Sequence, residues 1–195
     1  MKNKVVELKA ILNEEGLSSG YSFRGKIRQI SNGEIRVIQL KDFIDEYAAI
    51  GNECYLISAD KIKPKYYLEN GDILFIAKGT NNYALVFTAI DDIPTIASSA
   101  LFVIKVNKEV ADPHYVAWYI NQNPVQNYLK TNETGTYVTS INKATVVHIP
   151  IKLPSLDLQK QIARLAQLHI KEKQLTAKIT NLKESLITNQ LLNTL

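Results

Sequence analysis

From Leu156 to Leu192 the chain contains neither glycine nor proline, and a stretch so free of breakers predicts one continuous α-helix. Along it Leu158, Leu165, Leu168, Leu175, Ile179, Leu182 and Leu186 recur. Between Leu165 and Leu186 they keep a three-four spacing, interrupted at Glu172. That is the heptad seam of a coiled coil. Some 35 residues at about 1.5 Å each make a rod of roughly 50 Å, too long to bury its stripe against a small domain. These seven apolar residues are therefore candidate dimerisation residues, expected to meet a helix of a partner chain. Ile162, Ile170, Ile187, Leu191 and Leu192 widen the apolar face, leaving room for more than one partner helix. The competing reading folds the helix back onto its own domain.

The helix is set off by Leu153-Pro154-Ser155, which divides the chain into residues 1–153 and an extension, 154–195. Between Tyr21 and Val106 the texture is short β-favouring runs broken by turn residues: Ile27–Ile30, Ile35–Leu40, Tyr55–Ser58, Ile73–Ala77, Tyr83–Ile90 and Leu101–Val106. Ser31-Asn32-Gly33 reads as a hairpin turn of type I′. Asp112-Pro113 supplies a cap and a first-turn proline for a helix carrying Tyr115, Val116, Tyr119 and Ile120. Asn123-Pro124 repeats the device for a second helix through Leu129. A polar loop around Gly135 follows, and Val146–Leu153 returns as a last strand. The fold class expected is α+β: a mostly antiparallel, curled sheet with short helices, followed by the long helix.

Chemistry of the enzymatic kind finds no support. His114, His148 and His169 are scattered, with no metal-ligand spacing, and Cys54 sits in an apolar run with Tyr55, Leu56 and Ile57 where a buried inert thiol is expected. Neither a G-x-x-x-x-G-K-[S/T] nor a G-x-G-x-x-G loop occurs, so no cofactor is expected. Asp91-Asp92, before Ile93-Pro94, reads as a turn. The N-terminal residues lack the apolar core of a secretory signal, no stretch approaches a membrane span, and one cysteine cannot form an internal disulfide. A cytoplasmic location is expected.

The net charge of +4 is modest, and residues 1–153 hold 17 Lys+Arg against 16 Asp+Glu. Its distribution says more. Arg24, Lys26, Arg28 and Arg36 face only Glu34 between Gly20 and Arg36, while Asp42, Asp45, Glu46 and Glu53 are clustered without a base. Polar, basic and aromatic residues in loops are the means by which proteins hold phosphates and read base edges. Three segments have that make-up: the first around Tyr21, Arg24, Lys26 and Arg28, the second around Lys78, Asn81 and Asn82, and the third from Lys130 to Lys143 with Thr136 and Tyr137. For each residue the alternative is an ordinary solvated loop side chain.

The order of motifs resembles the target-recognition domain and following conserved helix of type I restriction-modification specificity subunits. The segments that carry the resemblance are Gly20-Tyr21-Ser22-Phe23-Arg24, Ile35 to Asp42, Leu68-Glu69-Asn70-Gly71-Asp72-Ile73-Leu74, Asp112-Pro113-His114-Tyr115, the Gly135-Thr136 loop, and Ile149 to Ala163. The last is similar to the family's apolar strand, its Pro-Pro-Leu-Glu-Glu-Gln step and Ile-Ala helix start, with Ser155, Asp157 and Leu158 as departures. The resemblance implies a non-catalytic DNA-recognition subunit reading half of a split site in double-stranded DNA. It further implies an adenine methyltransferase subunit as partner, and possible assembly with a motor-nuclease subunit. A full-length member has two recognition domains and two such helices, and this sequence has one of each. A homodimer paired antiparallel through the helix would read a symmetric, interrupted site. Two other readings stay open: a protein scaffold that has lost DNA reading, and an RNA-binding module.

Overall fold

The computed structural model describes residues 4–45, 49–59, 62–79, 81–135 and 139–194. In chain order its strands are β1 (Lys4–Glu7), β2 (Leu12–Ser19), β3 (Ile35–Ile38), β4 (Phe43–Ile44), β5 (Ala49–Ile50), β6 (Tyr55–Ile57), β7 (Ile73–Ile76), β8 (Ala84–Val86), β9 (Thr95–Ala97), β10 (Leu101–Val106) and β11 (Pro150–Leu153). The helices are α1 (Pro113–Ile120), α2 (Asn123–Thr131), α3 (Lys143–Val147) and α4 (Leu156–Leu192), and single 3-10 turns lie at Leu8–Ile11, Leu40–Asp42 and Pro64–Tyr66.

The central sheet runs β2-β10-β7-β8, antiparallel throughout. Its middle strands are apolar on both faces, because side chains alternate across a strand and both faces are covered. In β7, Ile73 and Phe75 enter a core shared with α1, α2 and Ile151, while Leu74 and Ile76 enter a second core with Ile38, Phe87 and Val103. β10 divides in the same way, Phe102 and Ile104 to one side, Leu101 and Val103 to the other. A second sheet, β6-β3-β9, builds a third small core from Ile35, Val37, Ile57 and Ile96, and β3 and β9 pair in parallel. At the outer strand β8, the Asn121 side chain accepts from the Ala84 amide at 2.8 Å and donates to its carbonyl at 2.8 Å. One amide thus closes a stretch of sheet edge that would otherwise be open for pairing.

The expected α1 is present, with Asp112 accepting from the Tyr115 amide at 2.9 Å and Pro113 in its first turn. α4 has the expected bounds. It is joined to the domain by a buried glutamine: Gln159 accepts from the Asp112 amide at 2.9 Å and donates to the carbonyls of Pro154 (2.9 Å) and Val110 (3.2 Å). Ala163 is buried beside it, and farther along Gln167 meets His114 at 2.8 Å and Gln174 donates to Asp45 at 2.9 Å. Among the described residues no helix is long and apolar enough to cross a membrane.

Several sequence expectations are corrected. Ile27–Ile30 forms no strand: Ile27 packs into the third core, and Ile30 donates to the Leu56 carbonyl. Nor is Ser31-Asn32-Gly33 a type I′ turn, since neither Asn32 nor Gly33 has a positive φ. Gly33 is required for closeness instead, because a Cβ there would stand 2.5 Å from the Ile57 nitrogen. Val146 and Val147, strand-like in composition, lie in α3, where Asn142 caps the helix by accepting from the Thr145 amide at 2.8 Å. The cap outweighs the β-branched pair, and strand pairing begins only at Pro150. Strands β1, β2, β9 and the β4–β5 hairpin lie outside the expected runs.

Candidate nucleic-acid interface

Register determines where two of the three loop segments emerge. β10 is antiparallel to both β2 and β7, with Phe102 opposite Ser19 and Leu101 opposite Ile76. The ends of β2 and β7 and the start of β10 therefore lie at one end of the central sheet. The first segment leaves β2 there, and the second leaves β7. The third is tied to the same end, since the Ile141 amide donates to the Ala77 carbonyl at 2.9 Å, and Lys78 and Ser140 form a β-bridge.

A tight turn, Ser98–Leu101, joins these pieces. Gly20 donates to the Leu101 carbonyl at 3.0 Å, Tyr21 to the Ala97 carbonyl at 2.7 Å, Ala77 to the Ala100 carbonyl at 3.0 Å, and Ser98 to the Ile38 carbonyl at 2.9 Å. Gly20 has no alternative, because a Cβ there would lie 2.2 Å from the Ser98 oxygen. The second and third segments are also bound to each other: the Gly79 amide donates to the Thr139 carbonyl at 2.9 Å, and the Thr139 hydroxyl donates to the Gly79 carbonyl at 2.9 Å. Thr134 and Ser140 exchange backbone bonds of 3.0 and 2.9 Å, closing the base of a loop. Thr136 and Tyr137, which fall between Thr134 and Ser140 in the sequence, lie outside the described residues.

The candidate residues separate by what their side chains can reach. Arg24, Lys26, Arg28, Lys78, Asn81, Lys130 and Lys143 are exposed. Lys143 holds its ammonium 5.9 Å from the Phe102 ring, at the same sheet end. Asn82 is different. It is buried, and its amide donates to the Ile76 carbonyl at 2.9 Å, so the side chain holds the loop rather than reaching outward. Tyr21 is half-buried, edge-on to Phe23 at 4.8 Å and to Tyr66 at 5.1 Å, and anchors the first segment on the third core. That contact carries in Lys63 and Lys65, which the sequence reading passed over although Lys63-Pro64-Lys65-Tyr66-Tyr67 has the same basic and aromatic texture.

Three cations of the framework have acidic partners. Arg36 donates two bonds to Asp91, at 2.8 and 2.6 Å, which hold the Asp91 carboxyl down at about 2. Lys41 contacts Asp42 at 3.0 Å and lies 3.8 Å over the Tyr55 ring, while Lys105 meets Glu15, Glu69 and Asp72. Burial pushes the Cys54 thiol up to about 11, which leaves it protonated and unreactive at neutral pH. No cluster of three or more metal-ligating side chains occurs among the described residues.

The α4 stripe stays out of the domain. Leu165 is 70% exposed, Leu182 60%, and Leu168, Leu175, Ile179 and Leu186 are exposed too, with Leu158 at the margin. At 100° per residue, the residues that face the domain (Gln159, Ala163, Gln167 and Gln174) lie on roughly the opposite side of the helix from these. The helix touches its own domain without burying the seam.

Comparison with known proteins agrees with the fold. Residues 2–184 match the family described as the type I restriction modification DNA specificity domain. The StySPI specificity subunit of a type I restriction enzyme from Salmonella potsdam is 28% identical over 143 residues, which cover 70% of this chain and 31% of that one. In fold, the chain is similar to the HsdS subunit of Thermoanaerobacter tengcongensis (TM-score 0.63, 15% identity, 90% of this chain and 44% of that one). It is also similar to the type I S subunit of M. genitalium (TM-score 0.55, 13% identity, 85% and 38%). It therefore spans less than half the length of each. With nearly all of its residues matched, the chain belongs to the type I restriction-modification DNA specificity family.

Proposed function

We propose that this chain reads one half of a bipartite site in double-stranded DNA and is completed by a second copy paired antiparallel along α4. The observation that carries the reading is the convergence of three basic, polar loop segments on one end of the central sheet, with the leucine stripe left uncovered elsewhere. Arg24, Lys26, Arg28, Lys78, Lys130 and Lys143 hold phosphates, and Asn81 with Thr136 and Tyr137 addresses base edges. Asn82 and Tyr21 support these loops from beneath.

Specificity subunits of this family are non-catalytic. Methylation of adenine falls to a methyltransferase subunit that docks on the specificity dimer, and cleavage to a motor-nuclease subunit where one is present. Two-fold pairing of one domain with its copy gives a palindromic, interrupted target. Sequencing of methylated bases in cells with and without the chain tests the function. Its removal abolishes methylation at one interrupted symmetric motif; an unchanged set of methylated motifs overturns the reading.

A further inference from the structure

We propose that Lys63 and Lys65 form one phosphate-binding patch with Arg24, Lys26 and Arg28, so that a turn some forty residues farther along the chain grips the same DNA backbone as the first loop segment. The inference rests on the DNA-reading function and extends it to residues outside the three loop segments.

The two pieces are brought together by rings. Tyr21 meets Phe23 edge-on at 4.8 Å and Tyr66 edge-on at 5.1 Å, and all three pack on the small core of Ile35, Val37, Ile57 and Ile96. Arg24 follows Phe23 directly, and Lys65 precedes Tyr66 directly. The 63–66 turn is rigid: Pro64 opens it, and the Tyr66 and Tyr67 amides donate to the Lys63 and Pro64 carbonyls at 3.1 and 3.0 Å. Beyond it Tyr67 bridges Ile96, and Leu68 donates to the Thr95 carbonyl, so the turn is fixed to β9 on the strand that leads into the Ser98–Leu101 turn. The Lys65 ammonium lies 5.2 Å from the Tyr66 ring, which restrains it without neutralising it.

Charge makes the case specific. Lys63 and Lys65 are exposed, as are Arg24, Lys26 and Arg28, and no described carboxylate pairs with any of the five. In contrast, Arg36, Lys41 and Lys105 of the framework each have an acidic partner. Glu34 is turned to the Ala59 amide at 3.3 Å. Five cations with no described acidic partner, on two segments joined by the aromatic contacts of Tyr21, fit a polyanion whose charges repeat at short intervals, and duplex DNA presents one every ~1.7 Å of axis.

The test measures binding of the full chain to a duplex carrying its methylated motif and to an unrelated duplex, over a range of salt. A Lys63→Gln/Lys65→Gln variant is compared with Lys4→Gln/Lys152→Gln, which removes equal charge from the β1–β11 ribbon. Each lost phosphate contact lowers the slope of log affinity against log salt by about 0.9, so the first variant is expected to flatten it by roughly 2. The control is expected to leave it unchanged, and preference between duplexes should be preserved. Lys63→Arg/Lys65→Arg restores the slope. Equal slopes for the first variant and the wild type overturn the inference, and so does a loss of preference at a single base pair. Absence of any salt-dependent duplex binding by the wild type would instead overturn the function on which it rests.

Discussion

Two glycines five residues apart make opposite demands. At Gly20 a Cβ would lie 2.2 Å from the Ser98 oxygen and 2.6 Å from that of Ala97, whereas at Gly25 it would meet nothing within 4 Å. Gly20→Ala must push apart the turn that collects the three loops, at a cost of about 2 kcal/mol or more. Gly25→Ala is expected to stay within roughly 0.5 kcal/mol of the wild type. Urea denaturation of the two variants checks the pair, and equal midpoints would show that the approach at Gly20 is not obligatory. The contrast was invisible in the sequence, where both are glycines in one basic segment. Asn82 shows the same limit from the other side. It reads as an exposed polar group beside Asn81, but one residue of difference turns its amide onto the Ile76 carbonyl. Residue type announces capacity for hydrogen bonding, while the strand just before decides which partner is within reach.

Among the elements, those defined by local chemistry were legible and those defined by distant partners were not. Asp112-Pro113 specifies α1 by itself, and the breaker-free run from Leu156 to Leu192 specifies α4, because caps and propensities act within a few residues. β2 and β9 were missed because their pairing with β10 and β3 rests on partners far along the chain rather than on a strong apolar alternation of their own. The joint between domain and rod is likewise nonlocal. The buried Gln159 side chain satisfies the Asp112 amide and the Val110 carbonyl of one turn and the Pro154 carbonyl ahead of the helix. Gln159→Leu keeps the volume and orphans all three groups, so a loss of about 2 to 4 kcal/mol is expected in denaturant melts. A loss under about 0.5 kcal/mol would mean that the joint is held by Ala163 and the apolar contacts alone.

For the molecule as a whole, the uncovered stripe on α4 is the surface on which the proposed pairing depends. Burying a leucine is worth about 2 kcal/mol, so a seam of seven apolar positions has ample driving force for pairing. Leu168→Glu/Leu182→Glu places carboxylates in that seam, and light scattering at micromolar concentration is expected to give half the mass found for the wild type. A wild type that is already monomeric would remove the dimer from the proposal. The candidate site was legible as three segments but not as one surface, since strand register brings Gly20 and Lys78 to a common end and a long-range bridge ties Ser140 to it. That register has a further consequence. β10 has the loops at its Leu101 end, while its Val106 end leads to Val110 and Asp112, the residues held by Gln159. In the proposed function, the six residues of β10 separate the loops that read the target from the joint to the rod. On that reading, exchanging the loops as a cassette between such chains is expected to give a new target while the joint at Gln159 is left as it was.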